Sequence, residues 1–214
     1  MTQELKQLKQ ELHKKDFEIK QLRGLVTKDP LTGLYNRRGF EEEVTHLIKD
    51  VSFAKENPEA RKHFYIDSIS ILFFDIDNFK KLNDTHGHKI GDQVLQQVSQ
   101  IIRQKVRDID FIGRWGGEEL VVALVGSHEN DAFRKAEEIR KAVKSRVKAG
   151  KETITVSIGV AELKDEFDLE SLVKLADKAM YVAKHDRGKD NVVKFSELKW
   201  LTLSKLKNEL ILLN

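Results

Sequence analysis

Arg114-Trp115-Gly116-Gly117-Glu118-Glu119-Leu120 lies between two apolar runs, Phe111-Ile112 before it and Leu120-Val121-Val122 with Leu124 after it. Two β-like runs separated by Gly-Gly predict a hairpin, because paired glycines accept the positive φ that tight turns demand. Two carboxylates then fall at the start of the returning strand, just past a turn with no side chains to crowd a ligand. Oxygen ligands so placed suit a hard cation carrying phosphates. Gly-Gly followed by acids is also commonly a solvated hairpin, and a second acidic strand end, Phe73-Phe74-Asp75-Ile76-Asp77, tips the balance towards chemistry.

The 214 residues suffice for one domain of ordinary size, with a real core, plus extensions. A composition of 40% hydrophobic and 34% charged residues is that of a soluble globular chain. The 38 basic and 35 acidic residues nearly cancel to +3, too mild a charge to argue for a nucleic-acid partner. The absence of cysteine excludes disulfides, thiolate metal sites and cysteine nucleophiles, and is compatible with an expected cytoplasmic location. No apolar run approaches the roughly 18 residues of a membrane helix, and Met1 does not begin a signal-peptide pattern.

Along residues 1–26, Leu5, Leu8, Leu12, Ile19, Leu22 and Val26 fall on alternating short helical steps, with Lys15 the polar member of the series. The residues between them are nearly all charged or Gln, which predicts a parallel coiled coil joining two copies; a single amphipathic helix is the alternative. Pro30 and Gly33 break this pattern. A helix is predicted over about 38–51, a polar surface loop over 52–66, and a buried strand from Ser68 to Phe74.

An acidic pair such as Asp75 and Asp77, at the carboxyl end of a central strand, is a common seat for a divalent metal. Asp77 or Asn78 also suits the N-cap of a helix starting at Phe79. That helix would offer its first amides and Lys80 to a phosphate chain, with Asn83 one turn on along the same face. Gly91-Asp92 reads as the start of a long helix, Asp92 serving as cap or first-turn acid. His86 and His88 lack a third nitrogen or sulfur ligand and are expected to hydrogen-bond within a loop. Further on, the pattern predicts a helix over 130–149, a strand over 154–160, a helix over 169–184 and a last strand at Val192-Val193. The basic segment Lys184-His185-Asp186-Arg187-Gly188-Lys189 either complements the helix dipole or grips phosphate. Residues 196–213 predict one more amphipathic helix.

Five blocks, DPLTGLYNRR (29–38), FFDIDNFKKLNDTHGHKIGD (73–92), RWGGEEL (114–120), TVSIGVA (155–161) and ADKAMYVAK (176–184), strongly resemble the GGDEF family of diguanylate cyclases. They stand in the family's order and cover roughly residues 27–195. The resemblance implies an α+β domain with a central, mainly antiparallel five-stranded sheet wrapped by helices, of the nucleotide-cyclase or palm kind. It divides the chain into a dimerising helix (1–26), the catalytic domain (27–195) and a C-terminal amphipathic helix (196–214). It also implies metal-dependent condensation of two GTP into cyclic di-GMP and two pyrophosphates, by two facing domains of a homodimer.

Carried over by position, Asp75 and Glu118 ligate Mg²⁺ (or Mn²⁺) together with the Ile76 carbonyl, and Glu119 joins them as a catalytic acid. Asn83 and Asp92 hold guanine, whose edge presents an acceptor at O6 and donors at N1 and the 2-amino group. Relatives that accept ATP replace this acid, so Asp92 argues for GTP, and a site built on such hydrogen bonds rejects the wrong base. Phe79 and Lys80 lie where backbone amides meet the phosphates, and Lys184 adds a phosphate contact. Arg107 and Asp110 have the RxxD spacing that resembles the family's inhibitory site for its product, with an ordinary surface ion pair as the alternative. Three departures stand out: Leu120 where the family usually has Phe, a longer 52–66 loop, and one extra residue after Lys184 that leaves Arg187 and Lys189 competing for a second phosphate contact.

Overall fold

The computed structural model describes residues 11–12, 15, 27–57, 66–164 and 168–198. The coiled-coil expectation for 1–26 and the helix expected over 196–213 lie almost wholly outside these residues, as does most of the 52–66 loop.

The domain begins with a two-residue strand, β1 (Tyr35–Asn36). The Asn36 side chain then caps α1 (Arg37–Glu56) by accepting the Gly39 N–H at 2.9 Å. The helix continues past Val51 and absorbs the first part of the expected loop. β2 (Ile69–Ile76) is buried along its whole length, which is why it reads as one unbroken apolar run. It extends two positions past Phe74, so Asp75 belongs to the strand. There follow α2 (Phe79–His86), α3 (His88–Lys105), β3 (Phe111–Arg114), β4 (Glu119–Val125), α4 (Glu129–Arg146), β5 (Lys148–Ala149), β6 (Glu152–Thr153), β7 (Val156–Glu162), α5 (Leu169–His185) and β8 (Val192–Lys194).

Among the described residues the main sheet has six strands in the order β1-β3-β4-β2-β7-β8. The four inner strands run antiparallel, and each edge strand lies parallel to its neighbour. The fold is therefore the expected mainly antiparallel α+β sheet, with six strands instead of five. The additional strand is β1, which pairs Tyr35 and Asn36 with Gly113 and Arg114 and is too short for alternation to reveal. The helix predicted to Ala149 ends at Arg146, because Lys148–Ala149 pairs with Glu152–Thr153 around a left-handed Gly150.

Strand alternation divides the core into two layers. Leu72, Phe74 and Ile76 of β2 face α3 and α4, together with Leu120, Val122 and Leu124 of β4. Ile71 and Phe73 face α1 and α5, with Val121 and Ala123. On this two-residue period Asp75 and Glu119 fall on the α5 side. Helix α5 lies tight on β7 at Gly159, where an added Cβ would stand 1.9 Å from the Ala176 carbonyl oxygen. No helix among the described residues is long and apolar enough to cross a membrane.

Candidate active site at the end of the central strand

Asp75 and Glu119 are directly opposed across the β2–β4 pairing, and Glu118 precedes Glu119 in the hairpin turn. Asp75 and Asp77 are the charged residues buried in the described part of the chain. Buried charge is costly unless it is paired, and the two aspartates are paired in different ways. Lys184, near the end of α5, donates to Asp75 Oδ1 at 2.7 Å. Burial pushes the Asp75 carboxyl up, Lys184 pulls it back, and the charges of Glu118 and Asp77 push it up again. Glu119 is likewise raised, first by burial and then by Asp75, Asp177 and Glu118. The three acids Asp75, Glu118 and Glu119 thus form one mutually repelling group, with Lys184 as its resident counter-charge.

Asp77 is not a helix cap. Its carboxylate accepts the hydroxyls of Thr155 and Ser157, both at 2.7 Å, and the Asp190 N–H at 3.0 Å. Asn78 precedes α2 in the left-handed region (φ 59°) and makes no side-chain cap either. Its Oδ1 instead accepts from Lys189 Nζ at 2.6 Å. Lys189 and Asp190 are both left-handed, with φ 67° and 48°. Two consecutive non-glycine residues in that region are strained, and the Asp190 carboxylate fastens the segment through Arg140 and Lys144 at 2.5 and 2.6 Å.

Across the α2–α3 corner, Asn83 places its amide against Gly91. An added Cβ at Gly91 would lie 1.9 Å from Asn83 Oδ1 and 3.3 Å from the Phe79 ring. Asn83 Oδ1 is a buried acceptor with no partner among the described residues. Gly91 and Asp92 do not begin α3, which starts at His88 after a left-handed Gly87. Asp92 therefore projects from inside the helix, exposed, one residue from the Asn83 contact. Lys80 is exposed and Phe79 is partly buried against the core. His86 Nε2 lies 3.7 Å from Glu152, not in a metal cluster.

The hairpin glycines work differently from the expectation. Neither Gly116 nor Gly117 occupies the left-handed region. A Cβ on Gly116 would meet Glu119 Oε2 at 2.5 Å, so the glycine leaves that carboxylate room where it now stands. The turn is held by Arg114, whose guanidinium donates to the Gly117 carbonyl at 2.9 and 3.2 Å and to Asp29 at 3.0 Å. Leu120, the departure from Phe, is fully buried in the sheet.

Arg107 and Asp110 meet, yet they are not a simple surface pair. Asp110 has a nearly inaccessible side chain that accepts the Arg107 N–H at 2.8 Å and the Val125 N–H at 3.0 Å. The Arg107 guanidinium contacts Asp110 and the Val125 carbonyl, and its side chain remains 59% exposed. The acid stabilises the strand end, and the arginine faces solvent.

Among the described residues no three His, Cys, Asp or Glu side chains form a ready-made metal cage. The donor set nonetheless suits Mg²⁺, which is usually held by one or two carboxylates plus substrate phosphates. Asp75, Glu118 and Glu119 supply hard oxygens at the end of β2 and in the facing turn, with Ile76 the last residue of the strand.

Residues 26–190 match the family described as "Diguanylate cyclase, GGDEF domain", and the chain belongs to that family. It is 37% identical over 175 residues to diguanylate cyclase DosC of Escherichia coli, covering 78% of this chain and 35% of that protein. It is 40% identical over 166 residues to the response regulator PleD of Caulobacter vibrioides, covering 75% and 34%. The chain thus spans about a third of the length of these curated relatives. A crystal structure of the coiled coil and GGDEF domain of DgcB from Caulobacter crescentus, in complex with c-di-GMP, superposes with a TM-score of 0.73 at 30% identity. That match covers 89% of this chain and 97% of the DgcB chain.

Proposed function

We propose that the chain is a diguanylate cyclase that condenses two GTP into cyclic di-GMP with release of two pyrophosphates, residues 27–195 forming the catalytic domain. The observation that carries this reading is the acid group at the junction of β2 and the hairpin, with Asp75 opposite Glu119. Membership of the family and the matches to DosC and PleD support it.

Asp75, Glu118 and the Ile76 carbonyl hold Mg²⁺ or Mn²⁺, with Glu119 completing the acidic group. When bound, the metal supplies charge neutralisation at the α-phosphorus and lowers the pKa of the attacking 3′-hydroxyl. Asn83 and Asp92 read the guanine edge. The unpartnered Asn83 amide oxygen supports this assignment, because a buried acceptor costs free energy until a donor reaches it. Lys184, Lys80 and the first amides of α2 at Phe79 take the triphosphate. Each domain holds one GTP, and a homodimer assembled through residues 1–26 brings two half-sites together, supplying orientation that a bimolecular reaction lacks. Arg107, with Asp110 behind it, binds the product and inhibits turnover.

The test is incubation with Mg²⁺ and GTP across a dilution series. Cyclic di-GMP formation with a specific activity that falls on dilution is expected. No cyclic dinucleotide at any protein concentration overturns the proposal.

A further inference from the structure

Two lysines, Lys184 in the last turn of α5 and Lys189 in the segment linking α5 to β8, stand on acceptors at the edge of the site. Lys184 Nζ lies 2.7 Å from Asp75 Oδ1, and Lys189 Nζ lies 2.6 Å from Asn78 Oδ1. The first pair is well shielded, its side chains being 22% and 8% exposed. The segment is held in place from both sides: Asp77 accepts the Asp190 N–H, and the Asp190 carboxylate takes Arg140 and Lys144. The backbone that carries Lys189 is therefore fixed by part-buried bonds on both sides. Arg187, also in the linking segment, is exposed, and among the described residues its recorded hydrogen bonds are made by its backbone.

We propose that Lys184 is a latch that keeps Asp75 from taking a metal until a triphosphate arrives, with Lys189 a second cation that helps draw the triphosphate in, so that metal and nucleotide bind as a coupled pair. This rests on the reading of Asp75 as a metal ligand. A cation already paired with the Asp75 carboxylate competes with any second cation for the same oxygens. A triphosphate offers the ammonium groups several anionic oxygens in exchange, and once Lys184 has moved to them Asp75 is free to ligate. The exchange replaces one fully paired arrangement by another, so no buried charge is left alone at either end. Lys189 takes the same step from the neutral Asn78 amide, which holds it less strongly. This makes Lys189, not Arg187, the second phosphate cation of this chain.

The experiment measures Mn²⁺ binding to the full chain by electron paramagnetic resonance, with and without a non-hydrolysable GTP analogue. Wild type is expected to bind Mn²⁺ weakly alone and much more tightly with the analogue. Lys184→Met is expected to bind Mn²⁺ alone about tenfold or more tighter than wild type, a tenfold change being the size of one pKa unit of interaction. Its gain on adding the analogue should shrink accordingly. Lys184→Arg, which keeps the charge, should retain the wild-type coupling and shows that the Met effect is electrostatic. Lys189→Met should weaken the analogue several-fold with Mn²⁺ binding alone unchanged, and Arg187→Met should alter neither. Equal Mn²⁺ affinity of wild type and Lys184→Met in the absence of nucleotide overturns the latch. Failure of every variant to bind Mn²⁺ even with the analogue overturns instead the assignment of Asp75 as a ligand.

Discussion

Gly91→Ala places one methyl group against the amide proposed to read guanine. The Cβ would stand 1.9 Å from Asn83 Oδ1, whereas an ordinary carbon–oxygen contact is about 3.3 Å, so the amide must retreat by about 1.4 Å. The obstructing atom is the end of a flexible side chain, so the fold yields locally and survives. Gly91 also lies inside α3, where alanine is about 1 kcal/mol better than glycine as a helix former. The melting temperature should therefore hold or rise. Nucleotide binding should suffer, because a displaced Asn83 leaves a base hydrogen bond unmade at a cost of about 1–3 kcal/mol, or roughly 5- to 150-fold in affinity. The assay is calorimetric titration of wild type and variant with a non-hydrolysable GTP analogue, alongside thermal melts and initial rates. The preference for GTP over ATP should narrow in parallel. Unchanged GTP affinity at unchanged stability would refute the reasoning.

Glu119→Gln, measured in EDTA, should melt higher than wild type while losing cyclic di-GMP synthesis. Because burial and neighbouring acids raise the folded-state pKa of Glu119, its ionisation opposes folding at pH 7. That cost disappears as the pH falls through the folded-state value into the ordinary carboxylate range, so the two melting curves should converge in acid; a variant less stable at pH 7 contradicts the argument. Gly159→Ala forces a methyl into the Ala176 carbonyl and the Met180 amide, backbone atoms that cannot step aside, and should cost about 3 kcal/mol or more, read as a fall in melting temperature. Arg107→Ala should abolish product inhibition at a modest cost in stability, because the Asp110 carboxylate loses its counter-charge but keeps two backbone donors. Asp110→Ala should in addition destabilise by about 1–3 kcal/mol by orphaning the Val125 and Arg107 amides, and equal melting of the two variants would contradict that division.

Periodicity found the long elements because their faces are apolar over many residues, as with Val94, Leu95, Val98 and Ile102 of α3. It missed β1, whose two residues are too few to alternate, and the β5–β6 ribbon, which follows α4 so closely that it reads as more helix. The convergence of Asp75 with the hairpin acids was legible because both mark strand ends. The job of Asp77 was not: its hydroxyl partners lie at Thr155 and Ser157, and local spacing suggested a cap. The same limit applied to Lys189, whose acceptor Asn78 is far away in sequence. Gly116 and Gly91 were recognisable as glycines in a motif. Only coordinates reveal that what they provide is room beside Glu119 and Asn83, not an unusual φ.

One guanidinium joins two distant parts of the chain. Arg114 reaches Asp29, where the polypeptide enters the domain, and the Gly117 carbonyl, one residue before Glu118. Asp29 is itself clasped by Thr32: burial works against its ionised form, and the Thr32 hydroxyl and amide together with Arg114 hold its carboxyl below the usual range. The arrangement is a tie-rod of charge-assisted bonds with little slack. The entry to the domain and the turn that carries Glu118 therefore share a single anchor, and removing the Arg114 side chain would release both at once.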